Sequence, residues 1–319
     1  NSDTKAITTI LALHSMLKNT KVSIIAQIND SKYVKNISQI KNFNFIPVLS
    51  KNIITKLKAQ TLRQNGIGAV ILDLLDFDGD EIYFSEIPQL IGKTYLEAMI
   101  SFEDSSVMGI IDINNQTQLN PKNEIIINKG DKLIVISKDD DTIIYVEDLI
   151  TPKNDILTPK IWVEKKENNI LFIGWSAIGN DILASLTPFL NASSKITVLF
   201  LPEYVNKNSI SNTIFNGIKI DFIPVSGTDF NFEAFIENGQ FKEIMIIGYT
   251  DMLSIPEADT LTLLEMLKLD NLKQSDLAIQ FRVIAEILDS SKANLAEFTE
   301  TEELIISDNL VALLMSQLT

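Results

Sequence analysis

Apolar residues in the first part of the chain alternate between a helical and an extended spacing. Between Ile7 and Leu17 they recur every three or four residues, which is typical of an amphipathic helix. Val22–Ile28 is an almost unbroken apolar run, as expected of a buried parallel strand. A helix near Tyr33–Ile40 and a short strand at Phe43–Val48 are predicted next. This alternation favours a parallel sheet with helices on its faces.

Two further helices follow this alternating segment. The first begins at Ser50, a residue suited to an N-cap, and extends to about Gln64. Asn65-Gly66 ends it with residues that tolerate a left-handed backbone. The second helix, Ala69–Leu75, is apolar on more than one face. We therefore expect it to pack against a partner, either in its own domain or on another subunit.

A small α+β domain is predicted over residues 79–150. Turn signals separate four short β-rich segments, and one helix fits at Thr94–Ile100. The four segments are Glu81–Phe84, Val107–Ile113, Glu124–Asn128 and Lys132–Ser137. Residues 151–168, which include Pro152 and Pro159, are interpreted as a linker.

Residues 169–319 show a complete strand–helix alternation. The six predicted strands are Ile170–Gly174, Ile196–Leu201, Ile218–Ile223, Glu243–Ile247, Leu277–Ile284 and Leu304–Ile306. Six strands joined by crossovers of this length predict an α/β fold, with a Rossmann-like, doubly wound parallel sheet.

The chain also contains an internal repeat, because three segments near its start recur in the same order near its end. The pairs are 24–31 with 283–290, 50–52 with 307–309, and 3–4 with 259–260. A repeat of this length indicates two copies of a domain. The first copy lacks the counterpart of 169–256, so we expect a chain cut from a longer protein at both ends. The alternative, a natural chain with a degenerate first half, stays open.

The repeat and the periodicity together predict one half and one complete Rossmann-like unit, with the small α+β domain between them. The predicted boundaries are 1–64 for the half unit, 65–78 for a crossover helix, 79–150 for the small domain, 151–168 for the linker and 169–319 for the complete unit.

Composition narrows the classes of function. A net charge of −15 argues against binding a nucleic-acid backbone, which requires clustered Lys and Arg, but is compatible with cations. Without cysteine there is no disulfide, thiolate metal site or Cys nucleophile. His14 is the only histidine, which excludes the common zinc sites and a Ser-His-Asp triad. We therefore expect no enzymatic activity.

A candidate nucleotide loop follows the first strand of the complete unit. Gly174 and Gly179 flank the loop, but Ser176 stands where the dinucleotide fingerprint has its middle glycine. Glu203, just past the next strand, lies where a ribose-binding carboxylate is expected. The loop is either a nucleotide site or a remnant kept for packing.

Two acidic segments are candidate calcium ligands, because hard cations take several oxygen ligands at a tight turn. The first contains Asp76, Asp78, Asp80 and Glu81 around Gly79, without the spacing of an EF-hand. The second contains Asp139, Asp140 and Asp141 in succession. Both segments can equally be solvated turns.

These features resemble the regulator-of-potassium-conductance (RCK) modules of ion channels, in their cytosolic tandem form. The likeness is closer still to the CASTOR/POLLUX channels and their bacterial relatives. The segments that carry it are 74–83, from Leu74 to Tyr83; 130–136, which begins Gly-Asp-Lys-Leu; 139–142, Asp-Asp-Asp-Thr; and 173–175, Ile-Gly-Trp.

This resemblance implies a regulatory region of a cation channel, with a transmembrane pore elsewhere in the parent chain. It implies a soluble fragment on the cytoplasmic side that forms a homo-oligomer: a dimer through the helices of 50–75 and a tetrameric gating ring in the full channel. Calcium is the ligand that the family favours, whereas Ser176 puts a nucleotide role in doubt. The alternatives are an NAD(P)-binding oxidoreductase and a soluble regulatory subunit of a potassium uptake transporter.

Overall fold

The computed structural model describes residues 2–17, 22–37, 39–40, 44–147, 167–210, 212–225, 230–275, 280–296, 299, 301 and 303–318. Residues 151–166, most of the predicted linker, lie outside these ranges. The chain divides into two compact units. The larger unit comprises residues 1–69 with 164–319, and the smaller unit comprises 70–163. In the part of the chain that is described, no helix combines the length and apolar character needed to cross a membrane.

The beginning of the larger unit alternates between helix and strand, as its periodicity predicts. Its elements are α1 (Ser2–Met16), β1 (Ile24–Gln27), α2 (Ser31–Ile37), β2 (Phe45–Val48) and α3 (Ser50–Arg63). β1 and β2 pair in parallel. Ile10, Ile28 and Ile37 form a small buried core between the helices and the strands.

Ser50 is not the N-cap that the sequence predicts. Leu49 occupies that position and makes no side-chain cap bond. The Ser50 hydroxyl is instead buried, where it accepts a hydrogen bond from Gln27 Nε2 at 2.8 Å and donates to Asn29 Oδ1 at 3.2 Å. Tertiary partners within reach therefore replace the local capping bond.

The smaller unit is built on a four-stranded antiparallel sheet. After α4 (Ile67–Asp73), which begins in the larger unit, come β3 (Glu81–Ser85), α5 (Tyr95–Met99), β4 (Ser106–Ile111), β5 (Thr117–Leu119) and β6 (Lys132–Ser137). The strand order is β3-β6-β4-β5. Thr94 and Glu97 form a reciprocal capping box that begins α5.

The strand predicted at Glu124–Asn128 is wrong. Among the described residues Ile126 makes one isolated bridge, to Thr94, and its two neighbours bond to residues at and just before the start of α5. The amide of Tyr95 donates to the Ile125 carbonyl at 2.8 Å, and that of Gly92 donates to the Ile127 carbonyl at 2.8 Å. The short polar strand β5 was not predicted, since three exposed residues carry no apolar alternation.

The rest of the larger unit is a complete doubly wound sheet. Its strands are β7 (Asn169–Ile173), β8 (Lys195–Phe200), β9 (Ile214–Phe215), β10 (Ile218–Pro224), β11 (Glu243–Ile246), β12 (Arg282–Ile287) and β13 (Glu303–Ile306). The helices are α6 (Ile178–Leu186), α7 (Phe232–Gly239), α8 (Ile255–Ser275), α9 (Ala293–Ala296) and α10 (Ser307–Gln317). The order β13-β12-β11-β7-β8-β10-β9 places six parallel strands in the order of a Rossmann fold, with β9 as an antiparallel edge. The predicted fold class is confirmed.

β12 lies further along the chain than the predicted Leu277–Ile284. Arg282 pairs with Glu243 of β11, and the strand continues to Ile287. Its residues after Arg282 are all buried, because both faces of a parallel sheet are covered by helices. Residues 276–279 lie outside the described residues.

The internal repeat is also present in the pairing of the strands. Gln27 of β1 lies opposite Val48 of β2, and their sequence counterparts Glu286 and Ile305 lie opposite each other in β12 and β13. Both pairs of strands are parallel and flanked by helices in the same order. The two copies therefore share their topology and their register.

A buried aspartate holds the same turn in each copy. The Asp259 carboxylate accepts hydrogen bonds from the amides of Leu288, at 3.0 Å, and Asp289, at 3.1 Å. Asp3, its counterpart, accepts from the equivalent amides 29–30, at 3.1 and 2.9 Å. Each carboxylate thus ties the N-terminal part of its helix to the end of the following strand.

Candidate functional site

Gly174 directly follows β7, at the start of the candidate nucleotide loop. Its φ of +81° is a left-handed conformation that favours glycine. A Cβ atom at this position would also overlap the carbonyl oxygen of Ile247, which follows β11. Close approach of two backbone segments is sufficient to require glycine here.

Trp175 fills the space beneath the loop. Its ring is fully buried and packs edge-on against Phe222, with centroids 5.0 Å apart. The indole N–H donates to the Ser209 carbonyl at 3.2 Å. A Cβ on Gly179 would overlap this ring, so Gly179 serves the packing of α6 against Trp175.

The start of α6, where a phosphate would bind in a Rossmann fold, faces a carboxylate of the same chain. The Ala177 amide donates to Asp251 Oδ2 at 2.8 Å. A helix N-terminus with free amides attracts anions, but here one amide is already paired with a negative charge. Ser176 is buried, and its hydroxyl has no hydrogen-bond partner among the described residues. Glu203 is exposed in a single 3₁₀ turn.

These contacts support the packing role that the sequence left open for this loop. Trp175 occupies the space under it, and Asp251 would repel the phosphates of a nucleotide. Nucleotide binding through Gly174, Ser176, Gly179 and Glu203 stays a prediction, with this geometry against it.

Tyr249 is a buried polar residue that sequence reasoning missed. Its hydroxyl accepts a hydrogen bond from the Leu201 amide at 3.0 Å, at the end of β8. Burial raises the pKa of Tyr249 to about 12, so the phenol stays protonated at neutral pH. We assign it a positioning role beside the loop, where its ring also lies 5.6 Å from that of Tyr204.

The second acidic segment converges after β6. Carboxylate oxygens of Asp139, Asp140 and Asp141 all lie within 4.8 Å of one another, and all three residues are exposed. The turn that carries them is anchored by hydroxyl groups. Thr142 Oγ1 lies 2.6 Å from Ser137 Oγ and donates to the Asp139 carbonyl at 2.7 Å.

Sheet register brings Glu81 to the same end of the sheet as this acidic turn. Glu81 begins β3 and lies opposite Ser137, the last residue of β6. The pKa of Tyr83 reflects this arrangement. It is raised first by burial and then by the negative charges of Glu81 and of residues 139–141. The two predicted acidic segments therefore contribute to one negative region.

The remaining predicted ligands do not form such a group. Asp76, Asp78 and Asp80 lie in the turn before β3, where the Asp78 amide donates to Asp76 Oδ1 at 3.3 Å. Within the described residues, only Asp139, Asp140 and Asp141 form a cluster of three converging carboxylates. The sequence could not tell which of the two acidic segments has converging carboxylates, because the spacing of acidic residues along a loop does not determine where their side chains meet.

A second buried polar cluster, also missed from the sequence, joins α3 to the complete Rossmann-like unit. Lys58 is 1% exposed and forms an ion pair with Glu286 of β12. Glu286 also accepts a hydrogen bond from the Ser307 hydroxyl. The same link occurs in the first copy, between Gln27 and Ser50. The internal repeat could have pointed to this cluster from the sequence, because it aligns Gln27 with Glu286 and Ser50 with Ser307.

Comparison with known proteins agrees with these observations. Residues 51–152 match the family model Castor_Poll_mid, described as Castor and Pollux, part of voltage-gated ion channel. The probable ion channel CASTOR of Oryza sativa subsp. japonica is 28% identical over 198 residues, which cover 61% of this chain and 22% of the relative. The probable ion channel POLLUX of the same plant is 23% identical over 352 residues, covering 99% and 36%. The chain thus spans well under half the length of these curated relatives.

A solved structure with a similar fold is the human SLO3 gating ring. The TM-score is 0.63 at 14% identity, over 99% of this chain and 68% of that one. At this identity the similarity concerns the fold alone. Together with the sequence relatives, it confirms along nearly the whole chain the predicted likeness to the CASTOR/POLLUX ion channels, with a fold similar to that of a gating ring.

Proposed function

We propose that this chain is the cytoplasmic regulatory region of a cation channel and forms part of a gating ring. The observation that carries the proposal is the similarity of 99% of the chain to a POLLUX-type channel, together with a fold similar to a gating ring. In this role the chain binds a ligand and transmits a conformational change to the pore, without catalysis. A ligand does so only by binding one conformation more tightly than another.

The two alternatives have less support. An NAD(P)-dependent oxidoreductase needs an open phosphate loop. In this chain the Trp175 ring fills the space beneath the loop, and Asp251 accepts the hydrogen bond of one amide that a phosphate would use. A soluble subunit of a potassium uptake transporter is compatible with the fold. The sequence of the full-length protein would distinguish a channel from a transporter subunit, because a pore domain upstream in the same polypeptide favours the channel.

Oligomerisation belongs to the same proposal. The buried face of α3 packs within its own chain, where the Arg282 guanidinium donates to the Leu62 carbonyl at 3.0 Å. A contact between copies through 50–75 must therefore use the exposed surface of these helices. Val70 is 54% exposed and Phe77, just beyond, is 55% exposed. These two side chains are the candidates for an apolar contact with a second copy in a ring.

We propose calcium as one ligand, bound by Asp139, Asp140 and Asp141 with Glu81 beside them. Neighbouring carboxylates repel one another when ionised, and a divalent cation with a preference for oxygen relieves that repulsion. The site would join the end of β6 to the start of β3. Binding would then stabilise the arrangement of the smaller unit in which these strand ends are closest.

Calorimetric titration of the chain with CaCl₂ tests this site. We expect saturable binding by the parent and a loss of about tenfold or more in affinity for Asp140→Asn with Asp141→Asn. Asp139 is left unchanged, because it accepts the bond that begins the local turn. The matched control, Asp78→Ala with Asp80→Ala, alters the turn whose carboxylates do not converge and should bind nearly as the parent does.

The control decides between the two acidic segments. Loss of affinity in Asp78→Ala with Asp80→Ala alone would move the site to the first segment. No saturable heat from the parent would remove calcium from the proposal. Single-channel recording of the full-length protein then tests regulation. Calcium should change the open probability of the parent, but not that of the Asp140→Asn and Asp141→Asn variant.

A further inference from the structure

The larger unit has an open cavity of about 750 Å³ where four helices begin. Residues at or beside the starts of α3, α6, α8 and α10 line it, together with residues at the ends of β1 and β12. This volume lies in the range of small-molecule sites. Its place beyond the carboxyl ends of parallel strands is the usual location of ligands in such sheets.

The walls of the cavity are mainly aliphatic. The apolar side chains that line it are Ile54, Ile178, Ile255, Leu288, Val311 and Met315. Burial of an alkyl chain against such a surface is favourable, because it removes apolar area from water. The ligand that fits these walls therefore has an apolar body.

Four charged residues line the cavity, and two of them already have an ion-pair partner. Lys51 pairs with Asp181 at 3.0 Å between Nζ and Oδ2. Glu286 pairs with Lys58 at the inner end of the site. An anionic ligand would therefore have to break the Lys51 pair to find a cation in the lining.

The other two, Asp251 and Asp308, are exposed and form no ion pair with Lys or Arg in the part of the chain that the structure describes. Backbone amides hold both carboxylates in place. Asp251 accepts from Ala177, and Asp308 accepts from Ser290 at 3.0 Å. The lining thus combines two positioned negative charges with aliphatic side chains.

We propose that this cavity binds a small organic cation with an alkyl body and an ammonium head group. The head group would pair with Asp251 and Asp308, and the alkyl body would lie against the aliphatic wall. The net charge of −15 favours the approach of a cation over that of an anion.

The site also provides a route for regulation, and this step alone rests on the proposed channel function. Ile54 of α3 belongs to the first copy of the repeat, whereas Asp308 and Val311 of α10 belong to the second. A ligand that touches both copies favours one spacing of α3 and α10 over others. Occupancy would then be transmitted along α3 towards Gly66 and α4.

Three probes of equal chain length test the binding step: hexylammonium, hexanol and hexanoate. The readout is the ¹³C-methyl NMR signal of Met315, assigned through Met315→Leu. We expect saturable shifts with hexylammonium, with an affinity about tenfold above that for hexanoate, because the two carboxylates attract one head group and repel the other. Hexanol should lie between them.

Two variants locate the charge and the cavity. Asp251→Asn with Asp308→Asn should abolish the preference for hexylammonium over hexanol, while Asp104→Asn, an exposed change in the smaller unit, should retain it. Ala312 lines the cavity but is exposed. Ala312→Leu should therefore reduce the volume of the cavity and weaken binding of all three probes.

Absence of a saturable Met315 shift would overturn the proposal, as would equal affinities for the three probes. A Met315 shift that depends on protein concentration without probe would also overturn it, by assigning the cavity to a second copy of the chain. None of these results bears on calcium binding, whose residues lie in the smaller unit. A failed calcium titration would likewise say nothing about ligand binding in this cavity.

Discussion

At the residue scale, Gly174 carries two constraints that can be separated by experiment. Its backbone is left-handed, and the carbonyl of Ile247 occupies the space of a Cβ atom. Gly217 has the same φ of +81°, but among the described residues no atom beyond its two chain neighbours lies within 4 Å of its added Cβ. The two glycines therefore differ in crowding and share their backbone conformation.

We predict that Gly174→Ala destabilises the larger unit by more than Gly217→Ala does. The shared left-handed conformation costs about 1–2 kcal/mol for an L-residue, and the clash adds about 1–3 kcal/mol at Gly174 alone. Urea unfolding of both variants measures the difference. Equal losses would mean that the contact with Ile247 relaxes without cost.

Glu243 is a half-buried carboxylate opposite Arg282 on neighbouring strands. Burial raises the pKa of Glu243 above its ordinary value of 4.5, and Arg282 and Lys242 oppose that rise. The folded state therefore favours the protonated form. This contribution to stability is fully present below pH 4.5 and is lost as the pH rises through the folded-state pKa.

Glu243→Gln removes this titration, so we predict that its stability relative to the parent increases between about pH 4 and about pH 7. The free energy of unfolding at both pH values measures the effect. Glu237→Gln, an exposed change on α7, is the control and should show a smaller change with pH. If the free energy of unfolding of Glu243→Gln instead falls relative to the parent as the pH rises, the attraction between Glu243 and Arg282 outweighs the effect of burial.

At the element scale, α3 joins the half unit to the complete unit. It lies along α6, and a cluster of buried polar contacts fixes its register. Lys58 meets Glu286, and the Gly66 amide just beyond the helix donates to Glu303 of β13. Burial of a charge is costly unless it is paired, so these contacts select one position of the helix.

We predict that Lys58→Met costs about 3–5 kcal/mol, because it leaves Glu286 charged and unpaired in the interior. Lys58→Met with Glu286→Leu should recover most of that loss, since no buried charge remains. Lys56→Met, on the exposed face of the same helix, should change stability little. Chemical denaturation of the four proteins completes the comparison. A double variant as unstable as Lys58→Met would contradict the pairing argument.

At the scale of the whole molecule, the two proposed ligand sites belong to different compact units. Asp139–Asp141 lie in the smaller unit, and the aliphatic cavity lies in the larger unit. Ligands stabilise the cooperative unit that binds them. The two units can therefore be followed separately by calorimetry.

We predict two thermal transitions, of which calcium raises only one. Calcium at 100 times its dissociation constant adds about 2.7 kcal/mol, which corresponds to about 10 °C or more for a unit of this size. Gly174→Ala should lower the other transition and so assign it to the larger unit. A single transition that calcium and Gly174→Ala both shift would mean that the units unfold together.

The amino-acid sequence by itself determined the succession of helices and strands, the repeat and the family likeness, because apolar periodicity and repeated residues are local signals. Only the tertiary structure decided which side chains meet. Asp251 reaches the amide of Ala177 across 74 residues, and Lys58 reaches Glu286 across 228. Such contacts depend on strand order and helix packing, which local patterns do not encode. The same reason explains the bonding of Ser50 to Gln27 and the convergence of one acidic turn but not the other.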